Sequence, residues 1–357
     1  MLKPLPAATL LRKAARWWTG FLLAAGLGAA PPQSSTAGAS VRLYGTDYLD
    51  APAFGRRFGL DAIVLKPREE LRLRSRWTTI DLAVDSSEIV LNGLRIFLGE
   101  PIVPYRDSLC LSRLDAEKLL APILGAPADR PVSRLKTIVV DPGHGGNDPG
   151  NQNLRLKLQE KNLTLDVARR LRLLLRQQGY RVVLTRTGDH RVELEERAQI
   201  ADRVRADLFI SIHFNAFTQS SVAGAETYVM SPRFLRSGPQ AERDPRMAAT
   251  DYPANQHDRW NVVLGYQIHR RVVRDLKAPD RGLKHFRYAV LRLVDCPGVL
   301  VEAAFLSNDA EARKVGTPAY RQRIARAIAS GVRAYHTELD RVRRSAGLRQ
   351  EPALPSS

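Results

Sequence analysis

Thr137-Ile-Val-Val-Asp-Pro-Gly-His-Gly-Gly-Asn-Asp-Pro-Gly150 is the stretch from which the rest of the chain can be read. Its β-branched run, Ile138 to Val140, has the composition of a buried strand, and the Pro/Gly cluster that follows cannot continue one. The chain must turn sharply there. The turn presents a single imidazole, His144, among glycines that let backbone and ligand approach closely. Alone, such a loop is equally well an ordinary glycine-rich connection carrying an exposed histidine.

Downstream, strands and helices alternate. Glu160 to Gln177 has leucines and valine at spacings of three and four, which predicts a helix ended by Gly179. Tyr180–Leu184, Leu208–Ile212, Ala225–Met230, Tyr288–Leu291 and Gly298–Ala303 read as strands. Leu194–Val204, Trp260–Leu276 and a long segment carrying Ile324, Ile328, Val332, Tyr335 and Leu339 read as helices. This order predicts an α/β domain over 135–342, three layers deep, with a mostly parallel central sheet flanked by helices. In such sheets the ligand site lies beyond the carboxyl ends of the strands.

Upstream, residues 41–124 show short alternating runs and an Asn92-Gly93 hairpin signal, then a helix from Ser112 to Leu124. They read as a small β-rich accessory or binding domain, joined by a Pro-containing linker at 125–134. Residues 1–39 place four basic residues before an apolar run from Trp17 to Ala30, the layout of a secretory signal. An uncleaved anchor is the alternative, and the chain would meet a membrane only through it. Residues 231–259 lack sustained periodicity and read as an inserted loop, and 343–357 as a flexible tail.

The formal charge of +18 across 357 residues favours an anionic partner such as nucleic acid, lipid headgroups or cell-wall polymer. No ribonucleoprotein motif or zinc-finger spacing supports nucleic acid. Cys110 and Cys296 rule out a disulfide framework and cannot hold a metal by themselves, so any metal must rest on histidine and carboxylate.

Four polar residues stand at strand or helix ends: His144, His213 after Leu-Phe-Ile-Ser-Ile, Glu160 opening its helix, and Glu302 within Gly-Val-Leu-Val-Glu-Ala-Ala-Phe. Singly each has a plain reading: a hydrogen-bonded strand-end histidine, a carboxylate facing a helix dipole, a salt bridge to one of many arginines. Together, two imidazoles and a carboxylate make a catalytic zinc set that leaves the fourth position to water. A second carboxylate, for which Glu302 is suited, would carry the proton. The His-Glu-x-x-His pattern is absent, which points to an amide hydrolase of a different design.

Segments 139–150, 160–168, 194–201 (Leu-Glu-Glu-Arg-Ala-Gln-Ile-Ala), 208–216 and 299–308 strongly resemble the zinc-dependent N-acetylmuramoyl-L-alanine amidases of the type 3 family. The resemblance implies Zn2+ ligation by His144, Glu160 and His213, with Glu302 as catalytic carboxylate. It implies an exported, periplasmic or cell-envelope enzyme. Its partner polymer would be peptidoglycan, cut between N-acetylmuramic acid and L-alanine in wall remodelling or cell separation, with room for an activator protein. Arg197 and Asn215 match family positions that orient substrate or brace the site. The piece 151–159 lacks the family's glycine-containing approach to the ligating glutamate, and Phe214 stands where a small residue is usual. The 231–259 insertion sits where some members carry an element that occludes the metal; Glu242 and His257 would be extra ligands there. More weakly, 91–124 resembles the small domain named after the copper amine oxidase amino terminus. A zinc peptidase acting within the stem peptide and a non-catalytic wall-binding protein are the rival readings.

Overall fold

The computed structural model describes residues 40–125, 134–236 and 245–345. The expected signal and most of the linker lie outside the described residues.

The central sheet has eleven strands. In chain order they are β1 (Asp61–Lys66), β2 (Glu70–Arg74), β3 (Thr79–Ala83), β4 (Glu88–Leu91), β5 (Leu94–Phe97), β6 (Thr137–Pro142), β7 (Arg181–Leu184), β8 (Leu208–Asn215), β9 (Ala225–Val229), β10 (Asp280–His285) and β11 (Gly298–Phe305). Their spatial order is β7-β6-β8-β11-β9-β10-β5-β4-β3-β2-β1. Strands β7, β6, β8 and β11 run parallel, β9 is antiparallel to β11, and β1 to β5 form an antiparallel meander. The sheet is therefore mixed: the strands of 135–342 pair in parallel as expected except at β11–β9, and the antiparallel meander is confined to β1–β5.

Alternation along these strands feeds two different cores. Ile138, Val140, Ile210, Ile212, Val299 and Val301 pack on one face with α1 (Glu160–Gln177), while Val139, Phe209 and Leu300 pack on the other with α2 (Leu194–Arg203). Residues Ile138 to Val140 are fully buried because both sheet faces are covered, and each such side chain contributes about 1.5–3 kcal/mol. Two further long helices, α3 (Asp258–Leu276) and α4 (Pro318–Ser345), complete the layer on the α1 side; α4 carries the chain past Arg343, where a flexible tail was expected.

The expected boundary between a β-rich segment and the α/β domain is not a boundary in the sheet. Ile96 of β5 pairs in parallel with Leu283 of β10, and the Arg95 amide donates to Asp280 Oδ2 at 2.8 Å. Among the described residues before the linker, Ser40–Leu43, Thr46–Asp50, Val103–Tyr105 and Ser108–Ser112 form a separate four-stranded sheet. The Asn92-Gly93 hairpin forms with positive φ at both residues, 51° and 80°. Ser112 caps the following helical turns, its Oγ accepting from the Asp115 amide.

One local reading is corrected. Tyr288–Leu291 is not a strand: Ala289–Arg292 is a short helix with Val290 and Leu291 buried. Asp280–His285, for which the sequence offered no assignment, is strand β10. The described parts of the 231–259 insertion include two helical turns, Pro245–Ala249 and Pro253–His257.

Candidate active site

His144 follows β6 in a left-handed conformation, φ 62°, which the adjoining Gly145 and Gly146 extend. The turn is clamped from behind by two buried arginines. Arg197 donates to Asp141 Oδ1 at 2.6 Å, to the Pro142 carbonyl and to the His144 carbonyl at 3.0 Å. Arg186 donates to the carbonyls of Pro142, Gly143 and Lys161. Asp141 also accepts from Thr185 and Ser211. Burial alone would raise its pKa, but the Arg197 charge and these donors prevail and hold it below the usual range. Arg197 therefore braces the loop.

Glu160 is the first residue of α1, fully buried. In place of a glycine-containing approach, 151–159 forms a two-strand hairpin, Gln152–Asn153 with Leu158–Gln159, and Lys157 supplies the positive φ of 54°. Both Glu160 oxygens are held: Oε2 accepts from the Asn151 amide at 2.7 Å, Oε1 from the Phe214 amide at 2.9 Å. The Phe214 ring is buried in the larger core, so strand alternation leaves only its backbone at the site.

Glu160 Oε1 lies 3.1 Å from His144 Nε2 and 3.0 Å from His213 Nδ1. One donor atom from each of the three residues can be chosen so that all lie within 4.8 Å of one another. Burial would raise the Glu160 pKa, but hydrogen bonds from the two imidazoles outweigh it and bring it down to about 2. The opposite ring nitrogen of His144, Nδ1, is 2.8 Å from Asp148 Oδ2, which fixes the tautomer with Nε2 turned to the cluster. A side chain at Gly143 would meet His213 at 2.2 Å, and one at Gly150 would meet His144 and Glu160 at 2.6 and 2.7 Å. Two nitrogens and a carboxylate oxygen, converging and held from behind, fit a divalent metal of the zinc type.

Glu302 stands in register with His213 across β8 and β11. With His144 and His213 it lines a cleft of about 340 Å³ that also includes Leu194, Tyr288 and Leu300. Its Oε2 is buried without a hydrogen-bond partner. Burial, then the negative charges of Glu160 and Glu226, raise its pKa well above the carboxylate range.

The remaining expectations divide. Asn215 faces Glu226, its Nδ2 donating to Oε2 at 3.0 Å, so it braces that carboxylate and stands apart from the metal cluster. His257 is not a further ligand: its Nε2 pairs with Asp295 at 3.2 Å, and it lines a different pocket with Trp260 and Cys296. Glu242 lies outside the described residues. Both cysteines are free and buried. Sequence reasoning missed Asp148, Arg186 and Glu226. Glu226 opposes Glu302 in register and gathers Lys284, Arg281 and Tyr228. The rule that singled out Glu302, a carboxylate inside an apolar strand, applies equally to Ala-Glu-Thr-Tyr-Val and would have found it.

The α/β half of the chain is similar to known proteins. N-acetylmuramoyl-L-alanine amidase AmiA of Salmonella typhimurium is 35% identical over 229 residues, 58% of this chain and 79% of the relative. AmiA of Escherichia coli is 36% identical over 220 residues, 56% of this chain and 76% of that one. The solved AmiC2 amidase of Nostoc punctiforme is 29% identical, aligning with 57% of this chain and 98% of its own at a TM-score of 0.47. The matched region leaves 41–124 outside, so the copper amine oxidase resemblance is not shown. Residues 138–334, more than half of the chain, match one family throughout, and the chain belongs to the N-acetylmuramoyl-L-alanine amidases.

Proposed function

We propose that this amidase is zinc-dependent, that His144, Glu160 and His213 hold the metal, and that Glu302 is its proton carrier. We further propose that it is exported and cleaves the bond between N-acetylmuramic acid and L-alanine in wall peptidoglycan, in remodelling or cell separation. The observation that carries this reading is the unpartnered Glu302 Oε2 in the same cleft as the converging His–Glu–His donors. A buried carboxylate oxygen without a partner is costly unless substrate or water completes it.

A dication at the three donors supplies Lewis acidity, polarising a carbonyl oxygen and acidifying water. The protein does the rest. Glu302 takes a proton from the attacking water as the lactyl carbonyl is attacked, then delivers it to the departing alanine nitrogen as the C–N bond breaks. Asp148 keeps His144 oriented, and Arg197 and Arg186 hold the loop still. Export rests on the residue pattern of 1–39; among the described residues no helix is long and apolar enough to cross a membrane.

The test is digestion of purified sacculi followed by mass spectrometry, with zinc measured in the same preparation. Free lactyl ends and intact stem peptides are expected. Trimmed peptides would show a peptidase, and binding without release would show a silent wall binder.

A further inference from the structure

The formal charge of +18 has a place in the fold. Helix α4 packs between α1 and α3, so the three make one layer over the sheet. Arg323 donates to the Asp275 carbonyl at 2.8 Å and Arg170 to Gln322 at 3.0 Å, which ties α4 to both neighbours. Ile324, Ile328, Val332, Tyr335 and Leu339 turn inward. The outward stripe of α4 keeps the same helical spacing, and its charged members are Arg323, Arg326, Arg333, Arg341 and Arg344. That stripe runs for about 32 Å. The exposed charged residues of α1 are Arg169 and Arg176, and those of α3 are Arg270 and Arg274.

Carboxylates do not balance this face. Asp166 is engaged by Arg170 and Arg321, Asp275 by Arg274, and Glu338 by Arg341, while Asp340 lies 3.8 Å from His336. Among the described residues, Arg176, Arg270, Arg326, Arg333 and Arg344 have no carboxylate partner. Half-buried Arg271 on α3 shows the crowding. Burial first, and then the charges of Arg274, Arg270 and Arg333, lower its pKa against the pull of Asp275. Like charges gathered this closely repel one another until an outside anion neutralises them.

The face also describes its anion. Three helices side by side present a broad layer, which matches a surface better than a single small ion. Every exposed cation on them is arginine, whose planar fork pairs two-point with phosphate oxygens. Leu173, 63% exposed, stands between Arg169 and Arg176 on α1 and adds apolar contact beside the charge. Among the described residues of the layer, no exposed aromatic ring offers nucleic-acid bases a stacking platform. We propose that α1, α3 and α4 form a docking face for an anionic phospholipid bilayer. The catalytic cleft is lined from the other side of the sheet: Leu194 opens α2, and Val290 and Leu300 belong to the core on the α2 side. Docking therefore leaves the cleft turned away from the lipid. The contact is peripheral and separate from any hold by the apolar run Trp17 to Ala30.

The probe is vesicles of phosphatidylcholine with and without phosphatidylglycerol, floated with the full chain. The quantity read is the ratio of its affinities for the two, so that insertion of the apolar run counts in both. The wild-type ratio should exceed about ten and collapse towards one as salt screens the charges. Combining Arg270→Gln, Arg326→Gln, Arg333→Gln and Arg344→Gln should lower it about tenfold. Combining Arg56→Gln, Arg68→Gln, Arg74→Gln and Arg76→Gln removes the same charge from exposed positions elsewhere and should preserve it. Both variants are checked for native circular dichroism, and the wild-type ratio with its salt dependence stands as a test even if one fails to fold. A wild-type ratio near one, an unchanged ratio in the helix variant, or an equal loss in both variants would overturn the docking face. Tighter binding to a DNA duplex or a soluble poly(glycerol phosphate) than to the anionic vesicles at the same salt would overturn the choice of lipid.

Discussion

Asp141 and Glu302 are carboxylates on the same sheet face, and their surroundings push their proton affinities in opposite directions. Asp141 has an arginine and two hydroxyl donors; Glu302 Oε2 has nothing and faces two negative neighbours. On the proposed function, the first belongs to the scaffold and the second to the chemistry. Glu302→Gln should retain zinc by metal analysis while turnover falls by about 10²–10⁴, the usual worth of a proton carrier. Zinc lost in Glu302→Gln but kept in His144→Ala would invert the assignment. Arg197→Met should cost about 3–5 kcal/mol at pH 7, because it leaves Asp141 buried and unpaired. The pH dependence follows from the sign of the shift. Wild-type Asp141 has a depressed pKa, so its contribution is full above the unfolded value near 4 and is lost as pH falls through the lower folded one. In the variant, burial without the arginine raises that pKa, and protonation removes the buried charge. The gap in melting temperature between wild type and variant should therefore narrow from pH 7 to pH 4.5; a constant gap would refute the pairing account.

At the scale of elements, the segment leading to Glu160 shows one geometry reached by different residues. Lys157 takes the left-handed turn of the 151–159 hairpin, a conformation that costs a side-chain-bearing residue about 1 kcal/mol. Lys157→Gly should raise stability by up to about that amount in denaturant melts and leave zinc content and turnover unchanged. A loss of zinc would mean that the lysine does more than turn the chain. The 288–291 segment shows the opposite case. A short apolar run cannot be told from a buried helix by its pattern, and here the α2 side core accepted a helical turn. Strand β10 escaped notice because Asp-Arg-Gly-Leu-Lys-His has no β-branched residue; pairing with β9 and β5 makes it a strand.

For the whole molecule, the N-terminal strands are part of the central sheet. Leu94, Ile96, Leu119 and Leu120 share a hydrophobic core with Val262, Tyr266 and Leu283. Deleting residues 40–125 should therefore leave an unpaired β10 edge and an open core, and the product should aggregate or melt far below the full chain. A truncated chain with native circular dichroism and full activity would restore the detachable-module reading. The strongly periodic elements and the four site residues were legible in the sequence because each obeys a local rule: period, cap, glycine turn, or a carboxylate where none belongs. The braces were not, since Arg186 and Asp148 look like any surface charge until folding buries one and turns the other toward His144.

The sequence by itself determined that this chain is an α/β amidase with His144, Glu160 and His213 near element ends and Glu302 inside an apolar strand, because strand period and turn chemistry are local properties of the chain. Only the tertiary structure decided that the N-terminal strands extend the sheet, that Arg197 and Asn215 act as braces, and that the arginines of α1, α3 and α4 gather on one face. Those outcomes depend on which edges find hydrogen-bond partners and which polar atoms are left without one, and both are fixed only when distant segments meet.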